Sequence, residues 1–156
     1  MSSKKNRPYQ KKSFESSGVS SDTSANIYVS MLLSPAWIDL SAQQQRLYLY
    51  CKAQYYAEKT KPMGNPEYFT MNQSKWAELY QIYKRSNAAS FYRDMEALIE
   101  HGFIRCVECG STTRTKTIYA YSSLWQQYGT DNFVVPFADM TSAMIRRKRK
   151  ESCPGG

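Results

Sequence analysis

The chain has a single histidine, four cysteines and no apolar run approaching the roughly 18 residues that a membrane-spanning helix needs. Each shortage excludes something. Without a long apolar run, no transmembrane helix and no membrane partner are expected. One histidine, His101, cannot furnish a His-rich metal motif. No Gly-rich phosphate loop, Ser-His-Asp set or carboxylate cluster occurs either. No catalytic residue, small-molecule substrate or cofactor is therefore expected. The first residues, MSSKKNRPYQKKSFESS, hold charge but no apolar segment, so no signal peptide is expected. The cysteines then read as reduced thiols of a cytoplasmic protein and not as a disulfide framework.

Cys106-Val107-Glu108-Cys109-Gly110 has the shape that can begin a zinc site. Tetrahedral zinc needs four ligands, and Cys51, His101 and Cys153 lack motif spacing. In a β-run, Cys106 and Cys109 also fall on opposite faces. No metal is expected. The 13 tyrosines are spread along helical stretches, which predicts packing and not nucleophiles.

Acids are scarce as well. Lys plus Arg number 21 against 13 Asp plus Glu, giving a net charge of +8 and a pI of about 9.3. That balance points to nucleic acid or an anionic surface without choosing between them. The charge is unevenly placed: +3 in residues 1–25, +3 in 26–129 and +2 in 130–156. Residues 1–25 read as a disordered basic arm. Residues 26–129 hold nearly all the pattern and read as one domain. Residues 130–156 read as a basic tail with a short helix before Arg146–Lys150, a run suited to DNA phosphates, to a membrane surface or to plain solvation, the first and last being favoured.

Within the middle block, Ile27–Leu33 is apolar enough for a strand or a short helix. Ser41 is placed to cap a helix running to about Glu58. That helix is apolar over most of its circumference, as a central packing element would be. KTKPMGNPE reads as a loop, and Tyr68-Phe69-Thr70 as a short strand. A short helix then covers Ser74–Tyr80, capped by Asn72 or Ser74. A longer one runs from about Asn87 to His101 and stops at Gly102, with Ser86 as its cap. Ala88, Phe91, Met95, Leu98 and Ile99 form its apolar face. Trp76 and Leu79 of the short helix would pack on that face. Phe103–Val107 and Thr117–Tyr121 are β-prone and flank the basic tip GSTTRTKT. This order predicts a mainly α fold with a small β-hairpin wing, a winged helix-turn-helix.

The polar face of the longer helix carries Asn87, Ser90, Arg93 and Asp94. Between Gln81 and Arg93 there are three basic residues and no carboxylate. Acids begin only at Asp94. A groove-entering helix start favours this, because carboxylates there would repel phosphate. Asn87, Ser90 and Arg93 are the expected base-reading residues. Lys84, Arg85, Ser86, Lys75 and, in the wing, Arg114 and Lys116 are the expected phosphate contacts.

The segments WIDLSAQQQRLYLY, FTMNQSKWAEL and SNAASFYRDMEALIEHGFI, followed by the hairpin to IYAY, resemble a known arrangement. It is the N-terminal winged-helix domain of bacterial plasmid and phage replication initiators, of the RepA-N and replisome-organiser type. The resemblance covers about residues 27–125. It implies double-stranded DNA as partner, origin binding, and often a homodimer. A small accessory DNA-binding protein of a plasmid, phage or conjugative element fits equally. So do a transcription regulator and an origin-of-transfer protein of the same fold. From another class, a winged-helix protein-interaction adaptor remains open.

Overall fold

Two serines open the first helices. The Ser34 hydroxyl accepts from the Trp37 amide at 3.3 Å, with Pro35 in the first helical position. Ser41 and Gln44 form a reciprocal capping box: Ser41 Oγ accepts from the Gln44 amide, and Gln44 Oε1 accepts from the Ser41 amide. The computed structural model describes residues 12–110 and 116–152. Along them run α1 (Val29–Leu32), α2 (Pro35–Ile38), α3 (Ala42–Ala57), β1 (Tyr68–Phe69), a π-type helix (Ser74–Leu79) and a 3₁₀ turn (Arg85–Asn87). They continue with α4 (Ala88–Glu100), β2 (Ile104–Glu108), β3 (Ile118–Tyr121), two further 3₁₀ turns and α5 (Ser142–Ser152). The result is mainly helical with one antiparallel sheet of order β1-β3-β2. The apolar Ile27–Leu33 run resolves as a helix. The hairpin pairs Ile104 with Tyr121 and Cys106 with Tyr119.

The core is aromatic. Trp37, Tyr48 and Phe103 meet in edge and tilted contacts, with ring centres 5.1–5.8 Å apart. Trp76 stacks on Phe91 at 4.9 Å, which joins the π-type helix to α4. The expected apolar face of α4 is inside: Phe91, Met95, Leu98 and Ile99 are buried. Met140 and Met144, near and within α5, belong to the same core cluster.

At its C-terminus α4 ends in a Schellman motif. The Phe103 amide donates to the Leu98 carbonyl and the Gly102 amide to the Ile99 carbonyl. Gly102 sits at φ +83°, and a Cβ there would lie 2.5 Å from the Trp125 amide nitrogen. Only glycine fits.

Four local expectations need correction. Leu79 is 68% exposed and does not pack on α4. The Ser74–Leu79 helix is wound with i→i+5 bonds, shown by the Tyr80 amide donating to the Lys75 carbonyl. A wider turn takes more residues per revolution, so position i+3 no longer returns over Trp76. Asn87, not Ser86, occupies the cap position of α4, because Ser86 lies inside the 3₁₀ turn. On α3 only the stripe Leu47, Tyr48, Cys51 and Gln54 is buried, while Leu49, Tyr55 and Tyr56 face outward. The fourth correction concerns the cysteines. A register shift between Cys106 and Glu108 breaks the strand's alternation. The Cys109 thiol therefore meets that of Cys106. Burial, then Cys109, pushes the Cys106 thiol up to about 12.

Candidate nucleic-acid interface

The turn between the two helices is set by Gln81, a non-glycine residue at φ +52°. Behind it the chain folds inward. The Ile82 and Tyr83 amides donate to the Trp76 carbonyl, and both side chains are buried. Gln43 Nε2 donates to the Ile82 carbonyl at 3.0 Å. Tyr83 Oη donates to Asp94 Oδ2 at 2.6 Å. Burial and that bond raise the Tyr83 pKa, so it stays a protonated donor. With Ile82 and Tyr83 pinned, Lys84, Arg85 and Ser86 emerge exposed at the entrance to α4.

Along the exposed stripe of α4, three side chains form a hydrogen-bonded row. Ser90 Oγ donates to Asn87 Oδ1 at 2.8 Å, and Arg93 Nη2 donates to Ser90 Oγ at 3.0 Å. Their spacing of three residues puts them on one face. The oxygens face each other within the row. The Asn87 amide hydrogens and the rest of the Arg93 guanidinium are not used within the row, and both residues are exposed. The row is thus donor-rich, and no carboxylate belongs to it.

The first two acids beyond Arg93 are spent within the fold. Asp94 accepts from Tyr83 and, at 3.2 Å, from Gln44 Nε2. Glu96, whose side chain is 13% exposed, is paired with Arg147 of α5. That bond, with smaller help from Glu100 and Glu151, keeps the Arg147 guanidinium strongly basic. Arg146, Lys148, Arg149 and Lys150 are exposed on the same helix. No protein-family model, curated protein or solved structure matches this chain. Its site is therefore read from its own geometry.

A trough of about 620 Å³ opens along another side of α4, and no member of the row lines it. Tyr92 and Glu96 of α4, Lys116 and Thr117 just before β3, Arg146 of α5, and Asn72 all line it. Lys116 is thereby brought to the same trough as α4. Arg114 lies outside the described residues, as do residues 1–11 of the arm and Cys153. Nothing in the sequence marks Tyr92 and Arg146 as sharing a trough, because Arg146 is carried there by α5, whose Met144 is buried in the core. The amphipathic run Met140–Ile145 is the one signal that could have found it.

Two expected phosphate contacts are otherwise engaged. Arg85 forms an ion pair with Glu78, and both side chains are largely exposed. Such a pair contributes at most about 1 kcal/mol and can be exchanged for a phosphate. Lys75 departs further from expectation. Its ammonium bonds Glu58 at 2.7 Å and the Thr70 carbonyl and hydroxyl at 2.8 and 3.3 Å. With 12% of its side chain exposed and three donors used, Lys75 holds the start of its helix to β1.

His101 ends α4, with Nδ1 2.7 Å from the Ala97 carbonyl and its ring stacked on Tyr128. Among the described residues, no three or more His, Cys, Asp or Glu side chains form a metal-sized group. Nor is any helix among them long and apolar enough to cross a membrane.

Proposed function

We propose that this chain is a winged helix-turn-helix protein that reads double-stranded DNA in a sequence-specific way and carries out no chemical step. One observation carries the reading: the donor row Asn87–Ser90–Arg93 lies open while Asp94 and Glu96 are tied into the fold. The element order helix, strand, helix, helix and hairpin supports it too. α4 would enter the major groove. Lys84, Arg85 and Ser86 would hold phosphates at its entrance, with Lys116 and Arg146 across the trough. Lys75 is dropped from that set. Because the row offers donors outward, it suits the O6 and N7 acceptors of guanine. The setting we favour is replication initiation, or a related DNA transaction, of a plasmid, phage or conjugative element.

The test is selection of bound duplexes from a random pool, followed by titration of the winner. Arg93→Ala should weaken the selected duplex by about 1–3 kcal/mol and leave random duplex nearly unchanged. Equal losses on both would move Arg93 from the bases to the backbone. A pool that yields no preferred sequence would sink the reading itself.

A further inference from the structure

A second cavity, of about 290 Å³, lies between the start of α1 and the end of α3. Tyr28, Tyr55, Tyr56, Tyr121, Lys52 and Glu67 line it, and none of them lines the trough beside α4.

Two of its rings are fixed. Tyr121 stacks on Phe69 at 4.8 Å and donates its hydroxyl to the Cys51 carbonyl at 2.7 Å. Lys52 Nζ stands 5.6 Å from the Tyr121 ring centre, and Lys61 Nζ stands 5.5 Å from that of Tyr55. Lys61 also donates to the Gln54 and Tyr55 carbonyls, closing the end of α3. The other two rings are open. Tyr28 is 69% exposed and Tyr56 is 54% exposed, and Tyr56 meets Tyr55 only edge-on.

Open aromatic faces set among ammonium groups are what an unpaired strand requires. Its bases gain by stacking and its phosphates by charge. Among the described residues Glu67 is the one carboxylate lining the cavity, against Lys52 in it and Lys61 beside it at the Tyr55 ring. Nearby Glu58 is already paired with Lys75. The chain reaches the cavity at Ala25, after a segment with five Lys or Arg and two acids. An apolar partner would gain nothing from these cations. A duplex keeps its base faces stacked internally and could not use the rings.

We infer that this cavity is a second nucleic-acid site, specific for single strands: bases stack on Tyr28 and Tyr56, and phosphates meet Lys52. It stands apart from duplex reading by α4.

The experiment is fluorescence anisotropy of the full chain with a labelled oligothymidylate of about 20 nucleotides, beside a duplex of equal length. Tyr56→Ala should weaken the single strand by about tenfold, and Tyr28→Ala with Tyr56→Ala by more. Tyr56→Phe should bind nearly as the parent does. Duplex affinity should stay within about twofold in all three, since the rings offer a duplex nothing to stack on. Thermal melts should match the parent, because both side chains are exposed. A double variant that binds the single strand as the parent does overturns the inference. So does an equal loss on both nucleic acids, which would mean that the rings serve a surface common to both and no single-strand site. So does a variant that turns a dimer into a monomer in sedimentation with single-strand affinity unchanged. Binding of the single strand through Tyr56 without any duplex binding would support this site and remove the duplex reading.

Discussion

The two halves of α4 are treated in opposite ways by the fold. In the first half, the polar groups of Ser90 and Arg93 bond only within the Asn87–Ser90–Arg93 row. In the second, polar groups are tied to other elements. Asp94 is held by Tyr83 and Gln44, Glu96 by Arg147, and the exit by Gly102 against Trp125. Both halves bury an apolar side, Phe91 in the first and Met95, Leu98 and Ile99 in the second. The difference lies in the outer face alone. A helix anchored at one end can leave the other end's donors unspent, and rigid placement of unspent donors is what base reading requires. The same anchoring occupies the oxygens of Asp94 with hydrogen bonds and pairs Glu96 with Arg147, so in the proposed reading neither is offered to DNA.

The most severe way to break this comparison is to attack the anchored exit. Gly102→Ala sets a Cβ 2.5 Å from the Trp125 nitrogen and 2.7 Å from the Leu124 carbonyl carbon, with the backbone in the left-handed region. No rotamer relieves a backbone clash. The expected loss is about 3 kcal/mol in urea unfolding, from strain and overpacking together. A loss below about 1 kcal/mol would mean that the exit of α4 shifts freely and that the second half is not anchored there.

Next in size is Asp94→Ala. It leaves the Tyr83 hydroxyl and the Gln44 amide without their carboxylate, which should cost about 2 kcal/mol. The sharper form is a cycle with Tyr83→Phe. Once the hydroxyl is gone, removing Asp94 should cost clearly less, and strict additivity would deny the coupling. Ser90→Ala, one turn earlier, should change stability by no more than about 0.5 kcal/mol. If Ser90→Ala matched Asp94→Ala, the contrast between the halves would vanish.

How much of this was legible in the sequence follows from the range of the interactions. Ser41, the apolar face of α4, the stop at Gly102 and the β-prone runs are local signals, and they mark the elements that form. The start of α4 was placed within about one residue, although the cap fell to Asn87. Leu79 was misplaced because nothing in SKWAEL announces π winding. Cys106 and Cys109 were separated on paper because a bulge is decided by strand pairing. Lys75 looked like a free cation because its partners, Glu58 and Thr70, are brought to it by the loop and by β1. The acid-free stretch from Gln81 to Arg93 was plain in the sequence. That Asp94 is hydrogen-bonded and Glu96 ion-paired is not, since Tyr83, Gln44 and Arg147 arrive through tertiary packing.

The smallest expected effect concerns the entrance to the free half. Gln81 holds φ +52° in the turn that delivers Lys84 and Arg85 to the surface. For a non-glycine residue this region costs about 1–2 kcal/mol. Glycine removes that strain but enlarges the unfolded ensemble by a comparable amount, about 0.4–1 kcal/mol. Gln81→Gly should therefore gain only about 0.5 kcal/mol, read as a slightly higher urea midpoint. Gln81→Ala, which keeps the strain, should be neutral. Duplex affinity separates two roles for the turn. If glycine stabilises the fold and leaves affinity intact, the inward bonds of Ile82 and Tyr83 to Trp76 already fix the entrance. If it stabilises the fold yet weakens duplex binding, the stiffness of Gln81 itself keeps the donor row in register. The openness of the first half would then depend on a strained residue outside the helix.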